Sequence, residues 1–183
     1  MGSLQLSKLY VNNIYSKTGA SEAINIDSDG RVTTPARPAF LAYRNSGASA
    51  TLTEGNYHQI FPFDAVEFDI GGNYNTTNYN YVCPVDGVYF FALNARIDGA
   101  GGNYVRGIIY KGDDAATQTN PHSQHGDALF SINGAFATNY ETINVSGVLQ
   151  CSAGDKVTAM GGHNTDTLIY LSGESQFSGF LVG

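Results

Sequence analysis

Charged residues are scarce in this chain. Only 14% of its 183 residues are charged, and acidic side chains dominate, so that the net charge is −7. No basic stripe is present, which argues against nucleic acid as a partner. No segment has the roughly 20 apolar residues of a membrane helix, and the opening MGSLQLSK lacks the apolar region of a secretory signal. We therefore expect neither nucleic acid nor a membrane among the partners.

Long segments with apolar residues at helical spacing are also missing. Short apolar runs are interrupted instead by Asn, Asp, Pro and 22 glycines, while Tyr (12) and Phe (10) are abundant. This pattern is typical of an all-β domain. The only two cysteines, Cys83 and Cys151, make neither a disulfide framework nor a zinc pattern. Whether they are bonded to each other stays open, and two separate buried thiols are expected.

Residues 1–37 differ from the rest of the chain. They are polar and weakly patterned, with two short strand-like pieces at 9–14 and 23–26. DSDG at 27–30 is a turn signal, and Pro35 and Pro38 bracket a connection that we expect to be extended. The segment cannot bury much apolar surface alone. We predict a short extended stem or attachment segment at 1–37, either disordered or wound with copies from other chains, and a second domain at 38–183.

The stretch GVYFFAL reads as a strand that is apolar on both faces. Because side chains alternate along a strand, Val88 and Phe90 face one way while Tyr89 and Phe91 face the other. A sandwich buries only one face of each strand inside a monomer, so the second face requires another subunit. The closing FSGFLV is apolar on both faces too. In all, about ten strands are expected, the number in a two-sheet jelly roll.

Four blocks of sequence resemble the globular head of complement first component q. In order along the chain they are RPAFLAYR, YVCPVDGVYFFAL, SGVLQCSAGDKV and SQFSGFLVG, and together they span residues 37–183. That family shares the tumour-necrosis-factor jelly roll and assembles as compact trimers. The resemblance implies an all-β, ten-stranded, two-sheet jelly-roll sandwich that forms a homotrimer, in which the second face of GVYFFAL is covered by the other subunits.

The same resemblance implies roles for individual residues. Four match positions that line the trimer interface: Val88, Phe90, Phe177 and Leu181. Three match positions inside each sandwich: Tyr89, Phe91 and Phe180. Gly147 and Gly179 match places where the inner strands come close. The alternative is that all of these residues belong to the core of a monomer.

The N-terminal piece VNNIYSKTGASEAINIDSDGRVTTPARPAF resembles the leader of phage structural proteins, especially those of marine and cyanobacterial phages. The collagen stalk that precedes the complement head is absent, so complement recruitment is not implied. We expect a trimeric, non-enzymatic binding head of a phage-like fibre or capsid appendage. It would be located on the virion and held to other virion proteins by its stem. The alternatives are a purely structural capsid-decoration trimer and a secreted or spore-surface lectin-like module.

The stretch GGNYNTTNYNY is the candidate ligand site. Tyr74 and Tyr79, interleaved with Asn73 and Asn75, combine flat apolar rings with hydrogen-bond donors and acceptors. This mixture suits the hydroxyls and ring faces of a sugar, so a host-surface glycan is the expected ligand. The alternative is an ordinary strand and loop with the tyrosines turned inward.

Two polar loops contain candidate metal ligands. In NPHSQHGD they are His122, His125 and Asp127, which three subunits could bring together around one ion. In GGHNTDT they are His163, Asn164 and Asp166, oxygen-rich enough for the calcium that some relatives bind near the trimer apex. The alternative for both is a solvated loop. No full ligand set can be matched, so we predict no cofactor and leave calcium open.

No catalytic arrangement is visible in the sequence. There is no nucleophile elbow, and glycine-rich pieces such as GAGGN do not open a helix that could cradle phosphate. The glutamates are not grouped in any way that the sequence can show. We therefore predict that the protein is not an enzyme.

Overall fold

The chain divides into two compact units, Met1–Arg37 and Pro38–Gly183, here called the stem and the head. The computed structural model describes residues 11–15, 22–45, 50–52, 59–98, 105–112, 127–133, 140–163, 168–170 and 174–183. All regular structure in these residues is β-strand, which confirms the predicted all-β class. Within the same ranges, no helix has the length and hydropathy needed to cross a membrane.

The described part of the stem is an antiparallel sheet of three strands. They are β1 (Asn13–Tyr15), β2 (Glu22–Ile26) and β3 (Val32–Thr33), in that order across the sheet. Asp27 shapes the turn after β2, because its Oδ1 accepts hydrogen bonds of 2.9 Å from the backbone N–H groups of both Asp29 and Arg31. The prediction of an extended or disordered stem is therefore wrong for these residues, which fold back on themselves.

The connection from stem to head contains a tight turn. The backbone N–H of Arg37 donates to the carbonyl of Thr34 at 2.9 Å, which places Pro35 at the second position of the turn. Proline suits this position because its fixed φ is already that of the turn. The expectation of a stiff extended connection between Pro35 and Pro38 is wrong for this reason.

Two sheets form the head. The strands of the first sheet are β4 (Ala39–Tyr43), β5 (Ala50–Leu52), β7 (Ala65–Ile70), β10 (Gly87–Asp98), β13 (Tyr140–Cys151), β15 (Leu168–Tyr170) and β16 (Gln176–Leu181). The strands of the second sheet are β6 (Gln59–Ile60), β8 (Tyr74–Asn75), β9 (Asn80–Val82), β11 (Val105–Lys111), β12 (Ala128–Asn133) and β14 (Lys156–His163). The described head thus has thirteen strands rather than ten. The strands β5, β6 and β8 have only two or three residues each and are too short to show a pattern in the sequence.

The longest strands lie at the centre of the first sheet, whose order is β5-β15-β10-β16-β4-β7, with β13 on the other edge of β10. β10 pairs with β13 over its whole length, from Gly87 opposite Cys151 to Asp98 opposite Tyr140. β4, the first strand of the head, lies between β16 and β7 and is hydrogen-bonded to both. The second sheet has the order β12-β11-β14-β9-β8, with β6 paired to β14.

Aromatic rings fill the space between the two sheets. The ring of Phe40 stacks on that of Tyr81 with 4.4 Å between centroids and meets the edge of Phe177 at 5.1 Å. Tyr89 and Phe91 are fully buried and stack on each other at 6.0 Å. Stacked and edge-on pairs of this kind add about 0.5–1.5 kcal/mol each beyond the burial of their area. The sandwich is therefore held together largely by rings.

β11 is buried on both faces. Its core-facing residues include Ile109, while Ile108 and Tyr110 point the other way and form a second apolar cluster with Met160. Although NYVRGIIYKG alternates in a way typical of a half-solvated outer strand, the second cluster removes the outer side chains of the described residues from solvent.

Two turns at one end of the head are hydrogen-bonded to each other. The N–H of Gly154 donates to the carbonyl of Cys83 at 2.8 Å, and the N–H of Cys83 donates to the carbonyl of Asp155 at 2.8 Å. The carboxylate of Asp86 accepts a hydrogen bond of 2.8 Å from the N–H of Ala153. The turns PVDG, at 84–87, and SAGD, at 152–155, therefore stabilise one another.

These turns bring the two cysteines together. Cys83 and Cys151 are free thiols with exposures of 0% and 1%. The two thiols hydrogen-bond to one another, and this bond together with burial raises the pKa of Cys83. The expectation of two unbonded buried thiols is confirmed, but the thiols are in contact rather than separate.

Candidate functional site

The face of the first sheet that points away from the core carries a row of apolar side chains. Strand register places Phe90 opposite both Val148 and Phe180, and Phe180 opposite Ala39. The Phe90 and Phe180 ring centroids are 5.4 Å apart. Phe180 is 44% exposed and Val148 is 57% exposed. Apolar side chains exposed on adjacent strands mark an interaction surface.

The row continues to the edge strand β7. Ile70 lies opposite Ala39, and Phe68 lies opposite Leu41 one row further along. Phe68 is 46% exposed and Ile70 is 39% exposed. The apolar surface therefore crosses five adjacent strands of the first sheet. We call it the outer face, and its large members are Phe68, Ile70, Val88, Phe90, Val148 and Phe180.

One end of the outer face is polar. Asn94 lies opposite Asn144 on β13 and Gln176 on β16, and the preceding row contains Ser146 and Ser178. These side chains line a concavity of about 330 Å³ that begins beside Phe90. The outer face thus changes along the strands from apolar to amide-rich.

Three residues assigned by resemblance lie on the face opposite to the one expected. Phe177, expected at the interface, has an exposure of 0% in the core, and Leu181 packs against that core. Phe180, expected inside the sandwich, lies on the outer face. The reason is Gly179, which lies where the core has no room for a side chain: a Cβ at this position would be 2.5 Å from Cδ1 of Phe91. Since Gly179 faces the core, alternation along β16 places Phe177 and Leu181 on the core side and Phe180 on the outer face.

The other residues assigned by resemblance are placed as follows. Val88 and Phe90 are partly buried on the outer face, and Tyr89 and Phe91 are fully buried in the core. Gly147 leaves room for a side chain of the second sheet, since a Cβ there would lie 2.9 Å from a methyl group of Leu129. The close approach at Gly147 is therefore one between the two sheets of the sandwich.

Tyr74 belongs to the core. It is 8% exposed, its ring stacks on Phe40 at 5.3 Å between centroids, and its hydroxyl donates to the carbonyl of Phe63 at 3.2 Å. The ring cannot lie against a sugar in this position. The ligand role predicted for Tyr74 is therefore wrong, because alternation in β8 turns the ring inward while Asn75 points outward.

The remaining candidate ligand residues lie in the loop that carries β8. The Oδ1 of Asn75 accepts hydrogen bonds of 2.9 Å from the N–H groups of Thr77 and Asn78, which fixes the loop. Tyr79 is half-buried with a left-handed φ of 57°. Asn73 and Asn75 share a shallow concavity of about 400 Å³, which we call the loop concavity. It is lined by Gly72, Asn73, Tyr74, Asn75, Thr76 and Val82.

The candidate metal ligands are only partly described. His122, His125, Asn164 and Asp166 lie outside the described residues, as does the side chain of His163. The carboxylate of Asp127 is paired with the Lys111 ammonium at 2.8 Å, and this hydrogen bond raises the pKa of Lys111. Across the described ranges, no group of three or more His, Cys, Asp or Glu side chains is arranged to hold a metal ion.

Comparison with known proteins decides the family. The family model for the C1q domain matches residues 39–182, nearly the whole head. The chain belongs to the C1q domain family. C1q domains are typically trimeric, non-enzymatic recognition modules.

A solved C1q domain is similar to the head. The structure of the globular domain of zebrafish complement 1qA protein has 21% sequence identity to this chain, covers 80% of this chain and 98% of its own, and superimposes with a TM-score of 0.52. A likeness at this level of identity shows that the two share the jelly-roll fold.

The sequence alone did not identify part of the outer face. Phe68 and Ile70 were not predicted as surface members of an interface, although they alternate with Glu67 and Asp69 in AVEFDI. That alternation predicts a strand with one apolar face, but it does not show whether the face meets the core or another subunit. The register with β4 is what places these side chains on the outer face.

Proposed function

We propose that the chain forms a homotrimeric binding head in which three outer faces pack around a common axis. The exposed pair formed by Phe90 and Phe180 carries this proposal, together with the neighbouring Val148. Each Phe or Val side chain that is fully buried contributes roughly 1.5–3 kcal/mol, and the trimer would bury each of them three times. Membership of a typically trimeric family supports the same arrangement.

The polar end of the outer face would determine how the subunits align. Asn94, Asn144 and Gln176 would meet their copies, and amides can donate and accept hydrogen bonds at once. Buried amides that lose their partners are costly, so a rotated or shifted packing would be disfavoured. The apolar row would thus supply the affinity, and the amides the geometry.

The mass of the purified protein in solution tests the trimer. Light scattering should give three times the chain mass of 19.5 kDa. Phe90→Asp should dissociate the trimer, because burying a carboxylate in an apolar centre costs several kcal/mol per ion. Val85→Asp is the matched control, since Val85 is 44% exposed and lies in the turn before β10. A monomeric wild-type protein would contradict the proposal.

We further propose that the trimer is the recognition head of a phage-like fibre or capsid appendage on the virion, with the stem bound to other virion proteins. The resemblance of the leader to phage structural proteins supports this placement. A host-surface glycan is the proposed ligand, and the loop concavity, with the amides of Asn73 and Asn75, is the proposed site. Threefold repetition favours such a site, because linked weak sites act at a high effective concentration.

A glycan array and a cell-binding assay test the ligand. Asn73→Ala should weaken binding to a dense glycan surface while the trimer mass and melting temperature stay unchanged. Ser152→Ala, in an exposed turn of the head, is the control. If Asn73→Ala binds as well as the wild type, the loop concavity is not the site. If the wild-type trimer binds no glycan and no cell surface, a structural decoration is the better description.

A further inference from the structure

The small sheet of the stem has two chemically different faces. Ile14 lies opposite Ile24, and Ile26 lies opposite Val32. Because Ile24 and Ile26 are two residues apart on β2, all four aliphatic side chains share one face. Ile14 is 44% exposed and Val32 is 64% exposed. We call this surface the stem face.

The opposite side of the same sheet is polar and internally bonded. Asn13 lies opposite Asn25, and both amides donate to Oε1 of Glu22, the bond from Asn25 measuring 2.7 Å. Thr33 lies opposite Asn25 on β3. Glu22 thus links both amides on the polar side, and the stem face is the apolar surface that a partner could cover.

The described stem sheet cannot bury its apolar side chains by itself. Its strands have three, five and two residues, and Ile14 and Val32 on its apolar side are exposed. Very small sheets are only marginally stable in water, so burying the apolar side would stabilise this one. The charges of the stem turn do not oppose self-association, because Arg31 is paired with Asp27 at 2.7 Å and with Asp29 at 2.8 Å.

We propose that the stem face packs against the stem faces of two other copies of this chain, so that three stems form one bundle. The inference rests on the trimeric head proposed above. From β3 the chain reaches the head within one turn and enters it at Ala39, which lies opposite Phe180 in the apolar row of the outer face. Three stems would therefore start close to one another, at a high effective concentration.

Hydrogen exchange on the full-length protein tests the bundle. In the trimer, the backbone amides of Glu22–Ile26 should exchange at least about tenfold more slowly than in a chain made monomeric by Phe90→Asp. Val32→Asp should remove that protection while the head stays trimeric. Thr33→Asp is the matched control, because it places the same charge on the neighbouring residue of the polar face and should leave the protection unchanged.

The outcomes separate this inference from the proposed function. If the head is trimeric but the β2 amides exchange freely in the wild type, the three-stem bundle is contradicted while the trimeric head stands. The stem face would then bind a different protein. Equal loss of protection in Val32→Asp and Thr33→Asp overturns it as well. A monomeric wild-type protein overturns both the trimeric head and the bundle.

Discussion

The rings of Phe90 and Phe180 lie side by side on the surface of the head, 5.4 Å apart, on two strands that are hydrogen-bonded neighbours. The next opposed pair in the register, Phe91 and Gly179, points into the core. The two central strands therefore place aromatic side chains on both sides of one sheet. The inner rings stabilise the core of the head, and the outer rings form an exposed apolar surface.

Phe177→Ala and Phe180→Ala should affect stability differently. Phe177 is fully buried in the core, so its truncation should lower the free energy of unfolding by about 3–5 kcal/mol at any protein concentration. Phe180→Ala should act on association, so its effect on the melting temperature should shrink as the protein concentration rises. Thermal unfolding at several concentrations measures both. The reverse assignment of effects would contradict the observed register of β16.

Gly179→Ala should destabilise the fold. The added Cβ would lie 2.5 Å from Cδ1 of Phe91 and 3.0 Å from Cε1 of Phe40, and neither ring can move freely in a packed core. Overpacking of this kind costs about 1–3 kcal/mol. Chemical denaturation measures the loss, with Ser178→Ala on the opposite face as the control. A Gly179→Ala protein as stable as the wild type would contradict this prediction, because it would show that the rings of Phe91 and Phe40 can shift to accommodate a methyl group.

Tyr74→Phe and Tyr81→Phe form a matched pair. The Tyr74 hydroxyl donates to the carbonyl of Phe63, so its removal should lower the free energy of unfolding by about 1 kcal/mol. The Tyr81 hydroxyl is buried with no hydrogen-bond partner in the described part of the chain, and this burial raises its pKa. Tyr81→Phe should leave stability unchanged or increase it. Chemical denaturation that ranks the two variants the other way round would contradict this account.

The two thiols should be unreactive in the native protein. A thiol must ionise before it attacks an aromatic disulfide reagent, and the hydrogen bond to Cys151 together with burial keeps Cys83 protonated by raising its pKa. The same hydrogen bond lowers the pKa of Cys151, so the protection of Cys151 rests on its burial, with an exposure of 1%. At about pH 8, where free thiols react readily, we expect slow release in the native state and two equivalents after denaturation. Fast reaction of the folded protein, or none after unfolding without reductant, would be inconsistent with two buried free thiols.

The stem turn should loosen in acid. Hydrogen bonds from Arg31 hold the pKa of Asp27 below its ordinary value of 3.8. Because the pKa is lower in the folded state than in the unfolded state, the stabilisation is present above the unfolded value and is lost as the pH falls through the folded one. The backbone amide shifts of Asp29 and Arg31 should titrate there. Asp27→Asn keeps the acceptor oxygen and should abolish this titration, and a titration that survives in Asp27→Asn would assign it to another group.

Much of the head could be predicted from sequence because its strands carry their own signals. The alternation in VYFFAL assigns Tyr89 and Phe91 to one face and Val88 and Phe90 to the other, and β10 has this pattern. In FSGFLV the same reasoning has two solutions, since each face contains one Phe and one aliphatic residue. The structure selects the face with Gly179, because rings from β4 and β10 occupy the space where its side chain would be.

The candidate ligand loop could be predicted only in part, for a different reason. GGNYNTTNYNY shows residue types but not which tyrosine turns inward. Tyr74 and Tyr81 lie opposite each other in the β8–β9 pair and both face the core, whereas Tyr79 adopts a left-handed backbone conformation in the loop between them. Such a backbone reversal depends on the two-residue strand β8, which has no sequence signal of its own.

The position of β4 bears on how the head would respond to pulling. The chain leaves the stem and runs directly into this strand, which is hydrogen-bonded to β16 on one edge and β7 on the other, while the N–H of Leu181 donates to the carbonyl of Pro38 at 3.0 Å. Ladder hydrogen bonds in antiparallel sheets lie perpendicular to the strands. Tension along β4 would therefore shear both ladders together instead of opening them one bond at a time. The head would therefore resist unfolding that starts from its N-terminal strand when the chain is pulled from the stem side.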